Sequence, residues 1–132
     1  MTRETLTGGR PWSEKYTFVP AVRVGDTIYI SGTTATDENG VITGPGDIVE
    51  QTRQIFRKFQ ALLESVGGSC DDIVSTVDHI TTTHDYNKTA AVRREVFRKG
   101  FPTATGVIVA GLLRPEALIE ITAVAVLGSA PR

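Results

Sequence analysis

The chain has 132 residues, of which 40% are hydrophobic, and its formal net charge at pH 7 is −1. We expect residues 1–132 to form a single domain, because this length suits one compact core. The near-neutral charge disfavours nucleic acid and anionic membranes as partners, since both require clustered Lys and Arg. Cys70 is the single cysteine, which excludes an intrachain disulfide and a cysteine-rich zinc site.

The chain begins with a polar, glycine-containing stretch to which we assign no element. No segment has the run of apolar residues that a signal peptide or a membrane span requires. We therefore expect a cytoplasmic protein with no membrane partner.

Two β-rich segments follow, Thr17–Val24 and Thr27–Ser31. The short turn Gly25-Asp26 between them predicts a β-hairpin. The next stretch, Asp37–Gly46, is dense in turn-forming residues, which indicates a surface loop.

The clearest helical pattern runs from Asp47 to Val66. Its apolar positions recur at three- and four-residue spacing and form one stripe: Ile48, Thr52 through its methyl group, Ile55, Phe56, Phe59, Leu62, Leu63 and Val66. Asp47 and Glu50 resemble a capping box, and Gly67-Gly68 predicts the end of the helix.

The second half of the chain predicts three strands, over Asp72–Thr82, Thr105–Ala110 and Leu118–Leu127. Between the first two of these strands it predicts a helix that Asp85 caps and that ends near Arg98. This order predicts a two-layer α+β domain, with a mixed sheet and two helices on one of its faces. The other face would expose apolar side chains, which favours a symmetric oligomer with sheets packed together.

Glu120 is the most informative polar residue, because it lies in the middle of an apolar strand. A buried carboxylate is costly unless it is paired, hydrogen-bonded or used. Two interpretations follow: a salt bridge across an oligomer interface, or a general base in a site.

The other titratable candidates favour structural roles. Asp78 and His79 are strand neighbours and point to opposite faces, so they cannot form a dyad directly. His84 precedes a helix in a loop, where histidines are often exposed. The histidines lack the spacing of metal ligands, so we expect no metal site. Cys70 is followed by Asp71, which disfavours the thiolate and indicates a structural cysteine.

The residues resemble the Rid (YjgF-like) family of reactive-intermediate deaminases over about residues 17 to 126. The matching segments stand in the family's order and spacing: Pro20–Thr33, Gln51–Gln54, Gly67–Val74, Phe101-Pro102 and Leu118–Ala125. The resemblance implies a chorismate-mutase-like fold, a homotrimer whose sheets form a central barrel, and ligand clefts between subunits. It also implies hydrolysis of enamines and imines to 2-oxo acids and ammonia without a cofactor.

Functional positions of the family have counterparts in this chain. The resemblance implies that Glu120 positions the water and that Ser31 and Gly32 line the cleft. We expect backbone amides near Ser31 and Thr105 to polarise the substrate.

Three cleft positions depart from the family pattern. Ala104 replaces an arginine that holds the substrate carboxylate, Phe18 replaces an aromatic hydroxyl, and Ala90 replaces an asparagine. The chain thus resembles the arginine-lacking Rid subgroups, and we do not expect ordinary 2-imino acids as substrates. Arg93, one turn after Ala90, either reaches the cleft from a different wall or is a solvated charge in a basic helix end.

Three functions remain open. The first is a cofactor-free enamine or imine deaminase, or a related C–N hydrolase, acting on a small metabolite. The second is a non-catalytic trimer that binds a small metabolite in the same cleft. The third is an RNA- or protein-binding regulator. RNA is the weakest option, because the chain has no excess of basic residues over acidic ones.

Overall fold

One sheet and two helices make up the computed structural model of the chain, which describes residues 2–132. The strands are β1 (Arg3–Leu6), β2 (Ala21–Val24), β3 (Thr27–Thr33), β4 (Ile73–Ile80), β5 (Thr103–Ile108) and β6 (Ile119–Val126). The helices are α1 (Ile48–Glu64) and α2 (Ala90–Val96). Neither helix is long and apolar enough to cross a membrane.

The strands lie in the order β1-β2-β3-β6-β4-β5. β4 and β5 are parallel, and the other neighbours are antiparallel, so the predicted mixed sheet is confirmed. The hairpin of β2 and β3 is also confirmed, with Gly25 at φ 60° in its turn. β2 begins later than predicted, after Pro20, which has no N–H to donate to a ladder.

β1 is an element that the sequence pattern did not predict. Its side chains are polar and exposed apart from Leu6, which joins the core. The strand exists because its backbone pairs with β2, from Arg3 opposite Val24 to Leu6 opposite Ala21. A mostly polar edge strand carries no periodic signal of its own.

Both helices pack on one face of the sheet, as predicted. The buried face of β6 consists of Ile119, Ile121, Ala123 and Ala125, and it shares one core cluster with α1 and with Val92 of α2. The apolar stripe predicted for α1 is buried from Ile48 to Leu63, with Val66 packed at its margin. The core thus lies between the helices and this face.

The N-terminus of α1 has only half of the predicted capping box. Asp47 Oδ1 accepts hydrogen bonds from the backbone N–H groups of Val49 and Glu50, each at 3.1 Å. The Glu50 carboxylate does not return to the cap, because it binds the Arg53 guanidinium at 2.9 Å. The predicted glycine stop is confirmed, with Gly67 at φ 81°.

The second helix is shorter than predicted, and Asp85 does not cap it. Asp85 has a left-handed backbone (φ 59°), and its side chain makes no capping hydrogen bond. An N-cap normally needs an extended backbone, and this carboxylate instead binds Lys88 Nζ at 3.0 Å. A 3₁₀ turn, Tyr86–Thr89, therefore leads into α2.

Gln51 is a buried polar residue that connects α1 to the start of β6. Its Nε2 donates to the carbonyl oxygens of Gly44 (3.2 Å) and Glu116 (3.1 Å), and its Oε1 accepts from the Leu118 N–H at 2.8 Å. These bonds hold the segment that enters β6, two residues before Glu120.

Candidate functional site

Glu120 lies on the face of the sheet that the helices leave uncovered. Side chains along β6 alternate between the buried helix face and this helix-free face, where Glu120, Thr122 and Val124 are partly exposed. The strand therefore holds the carboxylate away from the core, which lowers the desolvation cost of a charge in an apolar sequence.

A bulge in β3 makes room for this carboxylate. Ile30 pairs with Ala123 and Thr33 with Ile121, so Ser31 and Gly32 together stand opposite Thr122. A Cβ atom on residue 32 would lie 2.5 Å from Oε1 of Glu120 and 3.2 Å from Oγ1 of Thr122. The carboxylate thus lies directly against the backbone of Gly32.

His79 lies directly opposite Glu120 in the antiparallel ladder of β4 and β6. Directly opposed residues share a face, with their Cβ atoms about 5 Å apart. The His79 Nδ1 atom is buried and has no hydrogen-bond partner within residues 2–132. The sequence analysis missed this pairing, because the register between two strands distant in the chain is not visible in either one.

Asp78 points to the opposite face from His79, as predicted, and forms a buried network beneath α2. Its carboxylate accepts from Arg93 Nη2 (2.6 and 2.7 Å) and from the Tyr86 hydroxyl (2.6 Å). Desolvation, followed by the hydrogen bond to Asp78 and the charge of that carboxylate, raises the pKa of Tyr86 to about 12. The Arg93 guanidinium also lies over the Phe56 ring, 5.3 Å from its centroid.

The interpretation of Arg93 as a solvated charge is wrong. Its side chain is only 15% exposed, because it pairs with Asp78 on the helix face of the sheet. Arg93 Nη1 also donates to Thr76 Oγ1 at 3.2 Å, and Thr76 is the ladder partner of Ala104. The guanidinium therefore lies near the position where the family arginine is expected, but on the other side of the sheet from Glu120 within one protomer.

Ser31 ties the segment before β2 to β3. The Ser31 hydroxyl donates to the Val19 carbonyl at 2.6 Å, and its N–H donates to the Pro20 carbonyl at 2.9 Å. The Ser31 N–H is therefore already paired, and the polarising role expected for backbone amides near Ser31 stays a prediction. The Phe18 side chain is about half-exposed and lies in an aromatic cluster with Trp12 and Tyr16.

Ala104 and Thr105 belong to β5, a fully exposed strand at the sheet edge. An edge strand leaves alternate backbone amides without a ladder partner. β4 separates β5 from β6, so these residues lie roughly 10 Å or more from Glu120 within one protomer. A single chain thus does not bring together all the residues that the sequence predicted for the site.

Two other candidates have structural or surface positions. Cys70 is buried beneath α1, and burial, more than the adjacent Asp71, raises its thiol pKa to about 12. His84 is exposed and lies 3.3 Å from the Asp85 carboxylate. Residues 2–132 contain no cluster of three or more His, Cys, Asp or Glu side chains arranged to hold a metal ion.

Two helices on one face of a mixed six-stranded sheet, with a carboxylate on the open face, define a chorismate-mutase-like α+β protein of the Rid type. Residues 10–127 match the family model described as endoribonuclease L-PSP. The chain belongs to this family, the Rid or YjgF-like family, as its resemblance predicted.

Known relatives support this placement. The chain is 34% identical over 108 residues to the 3-aminoacrylate deaminase RutC of Acinetobacter baylyi, covering 82% of this chain and 85% of that protein. Among solved structures, the Rid-family protein YyfA of Yersinia pestis is 26% identical with a TM-score of 0.84, covering 96% of this chain and 100% of that one. RidA of an Antarctic Psychrobacter species is 28% identical with a TM-score of 0.82, covering 94% of this chain and 99% of that one.

Proposed function

We propose that this protein is a cofactor-free deaminase of small enamines or imines and that Glu120 orients the attacking water. The observation that carries the proposal is the Glu120 carboxylate lying over Gly32 on the helix-free face, with His79 directly opposite. A carboxylate and an imidazole side by side provide an acceptor and a second proton carrier, which acid–base catalysis needs. The similarity to a 3-aminoacrylate deaminase supports an enamine substrate.

The reaction needs only proton transfers and one water molecule. Protonation of the enamine carbon yields an iminium ion, and water then adds to its C=N carbon while Glu120 accepts one proton of the water, which leaves a neutral carbinolamine. Transfer of that proton to nitrogen allows the C–N bond to break, which leaves a carbonyl product and ammonia. His79, whose Nδ1 has no partner among the described residues, is the group we assign to the second proton.

We infer that the active form is a homotrimer with its ligand clefts between subunits. Apolar side chains are exposed on the helix-free face and along the β5 edge. Their exposed fractions are 52% for Tyr29, 67% for Phe101, 41% for Val107 and 66% for Ile108. Such a patch usually marks an interface. Packing between subunits would also place β5 of one chain near Glu120 of the next, a proximity that a single protomer lacks.

We further propose that ordinary 2-imino acids are not the main substrates. The Ala104 methyl group offers no charge to a substrate carboxylate, and the nearby Arg93 guanidinium is already neutralised by Asp78. A substrate anion could therefore contact Arg93 only by competing with Asp78, which already binds the guanidinium in a buried bidentate ion pair.

The test is release of ammonia from freshly generated 3-aminoacrylate, 2-aminoacrylate and a ring-cleavage enamine. We expect turnover of at least one enamine, with kcat/KM lowered about 100-fold or more in Glu120→Gln. Glu116→Gln is the matched control, since it removes the same charge from an exposed residue just before β6.

Two outcomes would contradict the proposal. Equal rates for Glu120→Gln and the unchanged protein would remove Glu120 from the chemistry. An absence of turnover on all three substrates, with binding of the same compounds retained, would favour the non-catalytic metabolite-binding trimer.

A further inference from the structure

A cavity of about 460 Å³ lies on the helix side of the sheet, on the opposite face from Glu120. Its walls come from the segment before β2, the loop after β3 and the second half of α1, with Ile30 of the core face at its base. This volume is within the usual range for a small-molecule site. The chemistry proposed above does not use this cavity.

Lys58 of α1 lines the cavity, and the groups that accept hydrogen bonds from its ammonium group carry no charge. Its Nζ donates to the Thr34 carbonyl at 2.9 Å and to Thr36 Oγ1 at 2.8 Å, which are both uncharged acceptors. An ammonium group has three donors, so one remains without a partner among residues 2–132. Burial, followed by the charges of Arg10 and Arg114, lowers the pKa of Lys58 to about 8.

The cations around this lysine also lack carboxylate partners. Within the described chain, neither Lys58 nor Arg10 nor Arg114 has an acidic group within ion-pair distance. Arg114 Nη1 donates only to the Gly40 carbonyl, at 3.1 Å. A partly desolvated lysine beside two further positive charges is unfavourable by itself, and a bound anion would relieve it.

Two carboxylates lie in the cavity wall but do not neutralise these cations. Asp37 Oδ1 accepts from the N–H groups of Asn39 (2.8 Å) and Val41 (3.0 Å) and so belongs to its own turn. The charges that shift the pKa of Lys58 are those of the two arginines, not those of Asp37 or Glu38.

Aromatic and apolar side chains also line the cavity, beside polar ones such as Ser13 and Asn39. Trp12 and Tyr16 lie side by side, with ring centroids 4.9 Å apart, and both line the cavity. Phe59 and Leu62 of α1 complete the apolar lining. Aromatic walls favour a planar ligand body, because rings stack on one another at such distances.

We propose that this cavity is a second ligand site and that it binds a small aromatic carboxylate. Lys58 and Arg10 hold the carboxylate, while Trp12 and Tyr16 contact the ring. The site is separate from the one around Glu120, since the two lie on opposite faces of the sheet.

Trp12 is the only tryptophan of the chain and lines this cavity, so its fluorescence responds to a ligand bound there. We would titrate the full-length protein with benzoate and excite Trp12 at the red edge of its absorption, where benzoate is transparent. Benzoate should change the emission saturably, and neutral benzamide should bind at least about tenfold more weakly, since a charge-assisted contact is lost.

Substitutions test whether benzoate binds in this cavity or elsewhere on the molecule. Lys58→Met should weaken benzoate binding about tenfold or more, and so should Arg10→Gln, which leaves the bonds of Lys58 to the loop intact. Lys88→Met, at an exposed lysine paired with Asp85, should leave binding unchanged, as should Glu120→Gln. Equal affinities for benzoate and benzamide, no saturable change, or full affinity in both cavity variants would each overturn the proposal.

Discussion

The carboxylate of Glu120 occupies the space that a side chain on Gly32 would fill, with Oε1 2.5 Å from the position of the missing Cβ. Gly32 has no left-handed backbone that would require glycine. The glycine is therefore explained by close approach: the bulge in β3 and the carboxylate on β6 fit together only without a side chain at this position.

Gly32→Ala should displace the Glu120 carboxylate while leaving the fold intact, because the clashing atoms belong to the end of a flexible side chain. We expect kcat/KM for ammonia release to fall about 100-fold, as misplacement of a catalytic group by about 1 Å does elsewhere. Gly111→Ala is the control, since a Cβ there meets nothing within 4 Å. Unchanged rates in Gly32→Ala, at unchanged thermal stability, would argue against the assigned role of Glu120.

Asp78→Asn should destabilise the protein, because it leaves the Arg93 guanidinium poorly paired beneath α2. Asp78 is 1% exposed and Arg93 15%, so we expect a loss of about 3 kcal/mol in the free energy of unfolding, measured with urea. Asp85→Asn, at the exposed pair with Lys88, should change the free energy of unfolding little.

The same ion pair permits a double-mutant test. Asp78→Leu combined with Arg93→Met should be more stable than either single variant, since an apolar pair leaves no unpaired buried charge. Additive losses would mean that the two side chains contribute independently.

Cys70 should be unreactive toward thiol reagents near pH 8 in the folded protein and react fully after denaturation. Burial raises its pKa from 9.0 to about 12, so the thiolate is scarce in the folded state. Folded protein holds this proton more tightly than unfolded protein, so the contribution of Cys70 to stability is present below pH 9 and declines toward pH 12. Rapid labelling of native protein near pH 8 would show that the site opens without global unfolding.

Patterns within single elements were predictable. The apolar stripe of α1 follows from three- and four-residue spacing, and the buried face of β6 follows from simple alternation. The opposite orientations of Asp78 and His79 required only that β4 be a strand. Where prediction failed, as for β1 and the start of α2, the deciding interactions were backbone pairing with β2 and the left-handed conformation of Asp85.

The site was predicted less completely. Glu120 was identifiable as a charge in an apolar strand, and Ser31 and Gly32 through the family resemblance. The pairing of His79 with Glu120 was missed because it depends on the register between β4 and β6. The Arg93–Asp78 pair was missed because it joins a helix to a strand beneath it.

By itself, the sequence determined the family, the α+β class and the face on which each strand residue lies, because these depend on local periodicity and on ordered motifs. The tertiary structure decided that His79 faces Glu120, that Gly32 makes room for the carboxylate, and that Arg10 and Lys58 converge on one cavity. Strand neighbours are joined by backbone hydrogen bonds that are the same for nearly every residue type. Which distant side chains meet is therefore settled only when the whole sheet and its core pack together.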